Sequence, residues 1–159
     1  MIEKDIIEIE QFYIENKSKL FNYAVSLLSN RATAEDVVHS VFKKILEKNI
    51  KVQNLKAYIY RSIKNEVIDI WRKPHLVYEE ELVFEFKDEK DKDLAEYVQH
   101  SLNKLEAKEK EIITLKIYND MTFKEISETL NESINTVSSR YRRGLEKLKK
   151  HIDGEYNER

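Results

Sequence analysis

Four side chains in the C-terminal third, Ser138, Ser139, Arg142 and Arg143, fall on one side of the stretch INTVSSRYRRGLEKLKK, residues 134–150. The other side carries Ile134, Val137, Tyr141, Leu145 and Leu148, spaced 3, 4, 4 and 3, as one stripe of a helix is. Arg140, Lys147, Lys149 and Lys150 flank that stripe, and from Ser133 to His151 six Lys/Arg stand against one acid. A small polar start, an apolar back and an arginine-rich front suit a helix that enters a major groove. Its first residues reach base edges and its later cations meet phosphates. A solvated charged helix in a bundle would share this composition. The helix and short turn that precede it weigh for helix-turn-helix.

A second set lies upstream: Tyr58, Tyr60, Arg61, Lys64, Asn65, Trp71, Arg72 and Lys73, in a segment with six Lys/Arg and two acids between Lys51 and His75. Rings interleaved with cations suit single-stranded nucleic acid, by stacking on exposed bases and neutralising phosphates. The same residues also fit a helix with Tyr58 and Trp71 in its core and its cations in solvent. Other chemistry is poorly supplied. The chain has no cysteine, and its four histidines (His39, His75, His100, His151) form no pair with metal-ligand spacing. Glu79, Glu80 and Glu81, or Asp88, Asp91 and Asp93, could serve a metal-dependent nuclease, but nothing around them supplies a scaffold. No enzyme, metal or cofactor is expected.

Positioning these residues takes helices. Two Gly, one Pro and no long β-branched alternation in 159 residues predict an all-α chain. A first helix runs from Gln11 to Leu28 with Phe12, Leu20, Ala24 and Leu27 inward and Tyr13, Phe21 and Tyr23 on its shoulders. After the turn Ser29–Ala32, the residues from Thr33 to Asp36 fit a capping box. The helix that follows has Val38, Val41, Phe42 and Ile45 as core, and Asp36, His39, Lys43 and Glu47 opposite. A polar loop, Lys48–Asn54, ends on a cap, Asn54. The third helix buries Leu55, Ile59, Ile63, Val67 and Ile70, and Pro74 stops it.

Tyr78 to Glu96 holds nine acids and three lysines without helical periodicity, and reads as a flexible acidic linker. Some twenty extended residues span up to ~65 Å. A helix over Leu94–Leu105 and another over Glu106–Tyr118, burying Ile112, Ile113, Leu115 and Ile117, follow. A capping box at Thr122 and Glu125 then opens the first helix of the pair, with Phe123, Ile126 and Leu130 on one side. Ser133 caps the second. Gly144 lies inside that helix at a cost of ~1 kcal/mol against alanine, and the tail from Asp153 frays. The organisation is therefore 1–75 and 94–152 as two small helical domains, 76–93 as linker and 153–159 as tail, with no internal repeat.

The formal net charge of −2 hides the segregation just described. No apolar run approaches the ~20 residues that span a bilayer. The start, MIEKDIIEIEQF, is acidic where a signal peptide is basic and then apolar. A reducing, cytoplasmic location is the expectation.

The residues from Ala34 to Phe42 are similar to the A-E-D-[LV]-[VT]-Q-E-[VT]-F segment of bacterial sigma factors of the extracytoplasmic-function type, and Ala57 to Asp69 to their A-W-L-Y-[RT]-I-A-x-N-x-x-x-D. Leu105 to Ile113 resembles L-P-x-x-x-R-x-[VA]-[FI]. Ile126 to Leu130 and Asn135 to Arg140 resemble E-I-A-x-x-[LM] and G-T-V-x-[ST]-R. The likeness extends over residues 8–152. His39 and Ser40 stand for Gln and Glu, Tyr58 for Trp, Glu106 for Pro, Asn131 and Asn135 for Gly, and Ser138 for a frequent Arg. The turn at Glu106 is expected to be less sharp and the groove contact at Ser138 different.

The resemblance implies a transcription initiation factor that binds core RNA polymerase and directs it to promoters. Asp36, His39, Ser40 and Lys43 would meet core polymerase, whose β′ clamp region and β flap are the partner surfaces the resemblance implies. Lys48, Asn49, Lys51, Asn54, Tyr58, Arg61, Lys64, Asn65, Arg72 and Lys73 would serve the −10 element as melted non-template strand, with Asn65 and the Lys48–Asn54 loop taking a flipped base. Thr136, Ser138, Ser139, Arg140, Arg142, Arg143 and Lys147 would serve the −35 element as duplex. The linker would thread the RNA path, and an anti-sigma factor is a further partner. A stand-alone helix-turn-helix regulator would explain the second domain but has no use for Tyr58, Asn65 or the acidic linker.

Overall fold

The computed structural model describes residues 3–49, 51–73 and 100–157. Every regular element among them is helical. The chain divides into two compact units, Met1–Glu80 and Glu81–Arg159. The acidic stretch expected as a linker, the stop at Pro74, and Leu94 and Val98 lie outside the described residues. No helix among the described residues is long and apolar enough to cross a membrane.

In the first unit α1 (Glu3–Leu28), α2 (Arg31–Lys48) and α3 (Leu55–Arg72) pack against one another pairwise. α1 begins well before Gln11, and Ile9 in its added turns is buried. The α1–α2 connection is shorter than the expected four-residue turn. Ser29 adopts φ 53°, which reverses the chain at once, and Asn30 caps α2 by accepting the Thr33 N–H at 2.9 Å. Thr33 therefore lies inside the helix, and the capping box expected there does not form. Asn54 caps α3 as expected, accepting the Ala57 N–H at 3.2 Å.

Leu20, Ala24, Val38, Val41, Phe42, Ile45, Ile59, Ile63 and Val67 form the core as the periodicity places them. Full burial of such side chains stabilises by about 1.5–3 kcal/mol each. Phe12, Leu27, Leu55 and Ile70 are half-buried. Two tyrosines depart from expectation: Tyr23 and Tyr60 are both fully buried, their rings 5.3 Å apart. α3 is covered by α1 and α2 together, so its buried arc is wider than one stripe.

In the second unit residues 100–103 are helical, and α4 (Ala107–Ile113) runs into a π-helical turn, Thr114–Tyr118. α5 (Phe123–Leu130) and α6 (Ile134–Asn157) follow. The core holds Leu102, Leu105, Ile112, Ile113, Leu115, Met121, Ile126, Val137 and Leu148. Ile117, expected inside, is 46% exposed. A π turn carries more residues than 3.6, so the stripe loses phase there. Ile134 is also exposed, because it is the first residue of α6. Glu106 takes φ −61°, within the range a proline would fix.

The Thr122–Glu125 capping box is present, and Asn131 ends α5 at φ 52°. Gly144 has a packing reason rather than a mere propensity cost. A Cβ there would meet Ile113 Cδ1 at 2.7 Å and Glu109 Cβ at 3.4 Å, so glycine lets α6 approach α4. α6 continues to Asn157 instead of fraying from Asp153.

Candidate nucleic-acid interface

α3 gathers most of the upstream set. Tyr58, Arg61, Asn65 and Arg72 recur at spacings 3, 4 and 7 and share one side of the helix. Arg61, Asn65, Arg72 and Lys73 are exposed, and Tyr58 is half-buried. Lys64 places its ammonium 5.2 Å from the centre of the Trp71 ring, which is 52% exposed. Trp71 is thus not a core residue. Lys48, the last residue of α2, and Asn49 and Lys51 of the connection to α3 are exposed, with Asn49 at φ 53°. That connection and Lys73 lie at opposite ends of an 18-residue helix, ~27 Å apart, so they cannot serve one nucleotide. The Asn54 amide oxygen is occupied as a cap. Such a strip combines a ring, an amide and cations along one line, as stacking, edge recognition and phosphate neutralisation need.

On α2, Asp36, His39 and Lys43 are exposed as expected. Ser40 turns inward and donates to Glu66 Oε1 of α3 at 3.0 Å. Lys44 donates to the same oxygen at 2.8 Å, and that bond holds its ammonium above its usual range. His39 Nε2 lies 3.2 Å from the Tyr13 hydroxyl, and Tyr13 packs edge-on against Phe42 at 4.9 Å. Beside them α1 and α2 enclose an apolar groove of about 340 Å³, lined by Ile9, Tyr13, Ile14, His39, Phe42 and Leu46. Ile14 is 65% exposed and Leu46 40% at its rim. Apart from Glu10, His39 and the Tyr13 hydroxyl, the lining is apolar. Of the residues expected at the polymerase surface only His39 lines the groove, and Ile14 and Leu46 were missed.

In the second unit Ser133 opens α6: its hydroxyl accepts the Thr136 N–H at 3.1 Å and donates to Thr136 Oγ1 at 2.8 Å. Ser138 and Ser139 are half-buried, and Arg142 and Arg143 are exposed with no ion pair among the described residues. The other two cations of the set are held by the protein itself. Arg140 pairs with Glu132 of the turn. Lys147 donates to both oxygens of Glu109 at 3.0 and 3.2 Å, with Glu106 at 3.8 Å, and the Glu109 bond raises its pKa. Glu109 is buried, so this tie anchors α6 to α4. Two exposed residues at the start of α6, Ile134 and Asn135, were not in the expected set. Asn135 lies seven residues before Arg142, on the same side, a spacing legible in the sequence.

Comparison with known proteins agrees with both halves. Residues 12–75 match sigma-70 region 2, and residues 95–148 match sigma-70, region 4. The chain is 28% identical over 141 residues to RNA polymerase sigma factor SigV of Bacillus subtilis, covering 85% of each chain. It is 27% identical over 156 residues to sigma factor SigZ of the same organism, covering 93% of this chain and 89% of that one. The fold is similar to sigma factor RpoE of Bartonella quintana, solved with the anti-sigma factor NepR (TM-score 0.75, 23% identity, 92% and 97% covered). It is also similar to CnrH, solved with the cytosolic domain of CnrY (TM-score 0.67, 20% identity, 92% and 88% covered). With regions 2 and 4 matched in that order, the chain belongs to the sigma-70 family, in its extracytoplasmic-function form, and is a transcription initiation factor that directs RNA polymerase to promoters.

Proposed function

We propose that the two units divide promoter recognition between a melted and a duplex element while bound to one polymerase. The observation that carries this reading is the contrast between the two cationic helices. α3 lines up Tyr58, Arg61, Asn65 and Arg72 beside an exposed Trp71, whereas α6 follows a helix and tight turn and presents small polar residues before Arg142 and Arg143. Rings and an amide serve unstacked bases, and a slender helix with late arginines serves a groove. Asn65 and the Lys48–Asn54 loop take a flipped base of the −10 non-template strand, for a stacking cost of a few kcal/mol. Arg61, Lys64, Arg72 and Lys73 hold adjoining phosphates. Ser138, Ser139, Arg142 and Arg143 read or hold the −35 duplex, with Arg140 and Lys147 supporting the helix.

The α1–α2 groove, with His39 in its lining and Asp36 and Lys43 exposed on the same helix, seats on the β′ clamp, and the second unit on the β flap. The acidic linker threads the RNA path between elements ~70 Å apart, two turns of duplex. An anti-sigma factor is a partner of the free chain, as NepR is of RpoE. With a net charge of −2, the free chain binds promoter duplex weakly, and most affinity comes with the polymerase. Run-off transcription tests the reading. Core polymerase without its own specificity subunit, given this chain and genomic fragments, initiates at defined positions. Failure to dock on the polymerase, or tight sequence-specific duplex binding by the chain alone, refutes it.

A further inference from the structure

α6 opens with an exposed aliphatic side chain. Ile134 is 48% exposed, although the helical period puts it on the stripe that Val137 and Leu148 bury. The start of the helix is fixed: Ser133 caps it, and the Val137 N–H bonds to the Ser133 carbonyl at 3.0 Å. α5 has already ended at Leu130, and Asn131 turns the chain away in the left-handed region. Glu132 and Arg140 close the turn as an ion pair, so the cation nearest this end is engaged. What the first turn of α6 offers outward is therefore Ile134 beside Asn135.

A helix in the major groove directs its N-terminal residues at base edges. Isoleucine neither donates nor accepts a hydrogen bond, and base edges in that groove offer one apolar group, the C5-methyl of thymine. Against phosphate the same side chain would gain nothing. We propose that Ile134 is a specificity-determining residue of the duplex element and reads a thymine through its methyl group. This rests on the assignment of α6 to duplex DNA.

The test uses holoenzyme, meaning core polymerase with the full chain, on an upstream duplex selected from a randomised pool. Each thymine is replaced in turn by uracil, which keeps every hydrogen-bonding group and loses the methyl. At one position uracil weakens wild-type binding about fourfold, the worth of one buried methyl-sized group. The Ile134→Ala variant binds thymine and uracil there equally, at the weaker level, and responds as wild type to every other base change. If Ile134→Ala keeps the discrimination, or no thymine responds to uracil, Ile134 does not read a methyl, whatever α6 as a whole does. A wild-type holoenzyme that selects no upstream sequence at all would instead overturn the assignment of α6, and this proposal with it.

Discussion

The two units use their positive charge differently. At the end of α3, Arg72 and Lys73 are exposed near an exposed Trp71, while Glu66 of the same helix is engaged by Ser40 and Lys44 of α2. On α6, two of the cations counted from the sequence are spent inside the unit, Arg140 on Glu132 and Lys147 on Glu109. A longer strip in the first unit and a narrow tip in the second follow from that. A count of lysines and arginines therefore overstates the unpaired positive charge of the second unit, and on α3 a ring and an amide share one side of the helix with the cations.

The contrast can be broken most severely at the docking groove, which has no counterpart described on α6. Leu46→Glu or Ile14→Glu places a carboxylate at an exposed rim, so the fold tolerates it. Core polymerase binding, followed by fluorescence anisotropy, falls at least ~100-fold, since an unpaired charge buried at an interface costs several kcal/mol. Thermal unfolding of the free chain stays unchanged.

Salt dependence sharpens the difference within α6. For holoenzyme on upstream duplex, Arg142→Gln and Arg143→Gln each lower the slope of log K against log salt by about 0.9, one phosphate contact apiece. Arg140→Gln and Lys147→Gln leave the slope in place and lower the stability of the second unit instead. The Lys147 tie has a defined pH window. Its folded pKa is raised above 10.5, so its contribution is complete below pH 10.5 and is lost as pH rises through the folded value.

Packing offers a smaller effect. Gly144→Ala destabilises by about 1 kcal/mol in urea unfolding, because crowding of buried Ile113 at ~1–3 kcal/mol outweighs the ~1 kcal/mol gained in helix propensity. Gly154→Ala, with nothing within 4 Å of its Cβ, gains about 0.5–1 kcal/mol. Smaller still at neutral pH is Tyr118, whose hydroxyl burial pushes up to about 12. Its unfolded form ionises from about pH 10, so stability declines between pH 10 and 12, and Tyr118→Phe flattens that decline.

How much was legible beforehand depended on whether period alone decides burial. Ile59, Ile63, Val67, Ile126 and Val137 lie where a 3.6-residue repeat puts them, since each is covered by a neighbouring element. Ile117 escaped because one π turn shifts the phase, and Ile134 because a stripe has no cover at a helix start. Tyr60 went the other way, buried by a second neighbour the pattern does not encode. Caps were readable where one candidate stood alone, at Asn54, Thr122 and Ser133. At Asn30 and Thr33 two candidates competed, and the left-handed Ser29 decided between them. The site residues were identified by type and spacing, but the internal ties of Ser40, Arg140 and Lys147 depend on which acids the fold brings near.

One measurement reaches the division of labour itself. Holoenzymes carrying Asn65→Ala or Arg143→Ala are compared for upstream duplex affinity and for permanganate reactivity of unpaired thymines on the same promoter. Asn65→Ala keeps duplex affinity within about twofold and loses strand opening at least ~10-fold, the scale of a few kcal/mol for holding a flipped base. Arg143→Ala loses duplex affinity by about 10-fold and opens a pre-bound promoter normally. If both variants fail at the same step, the two helices do not divide the promoter between them.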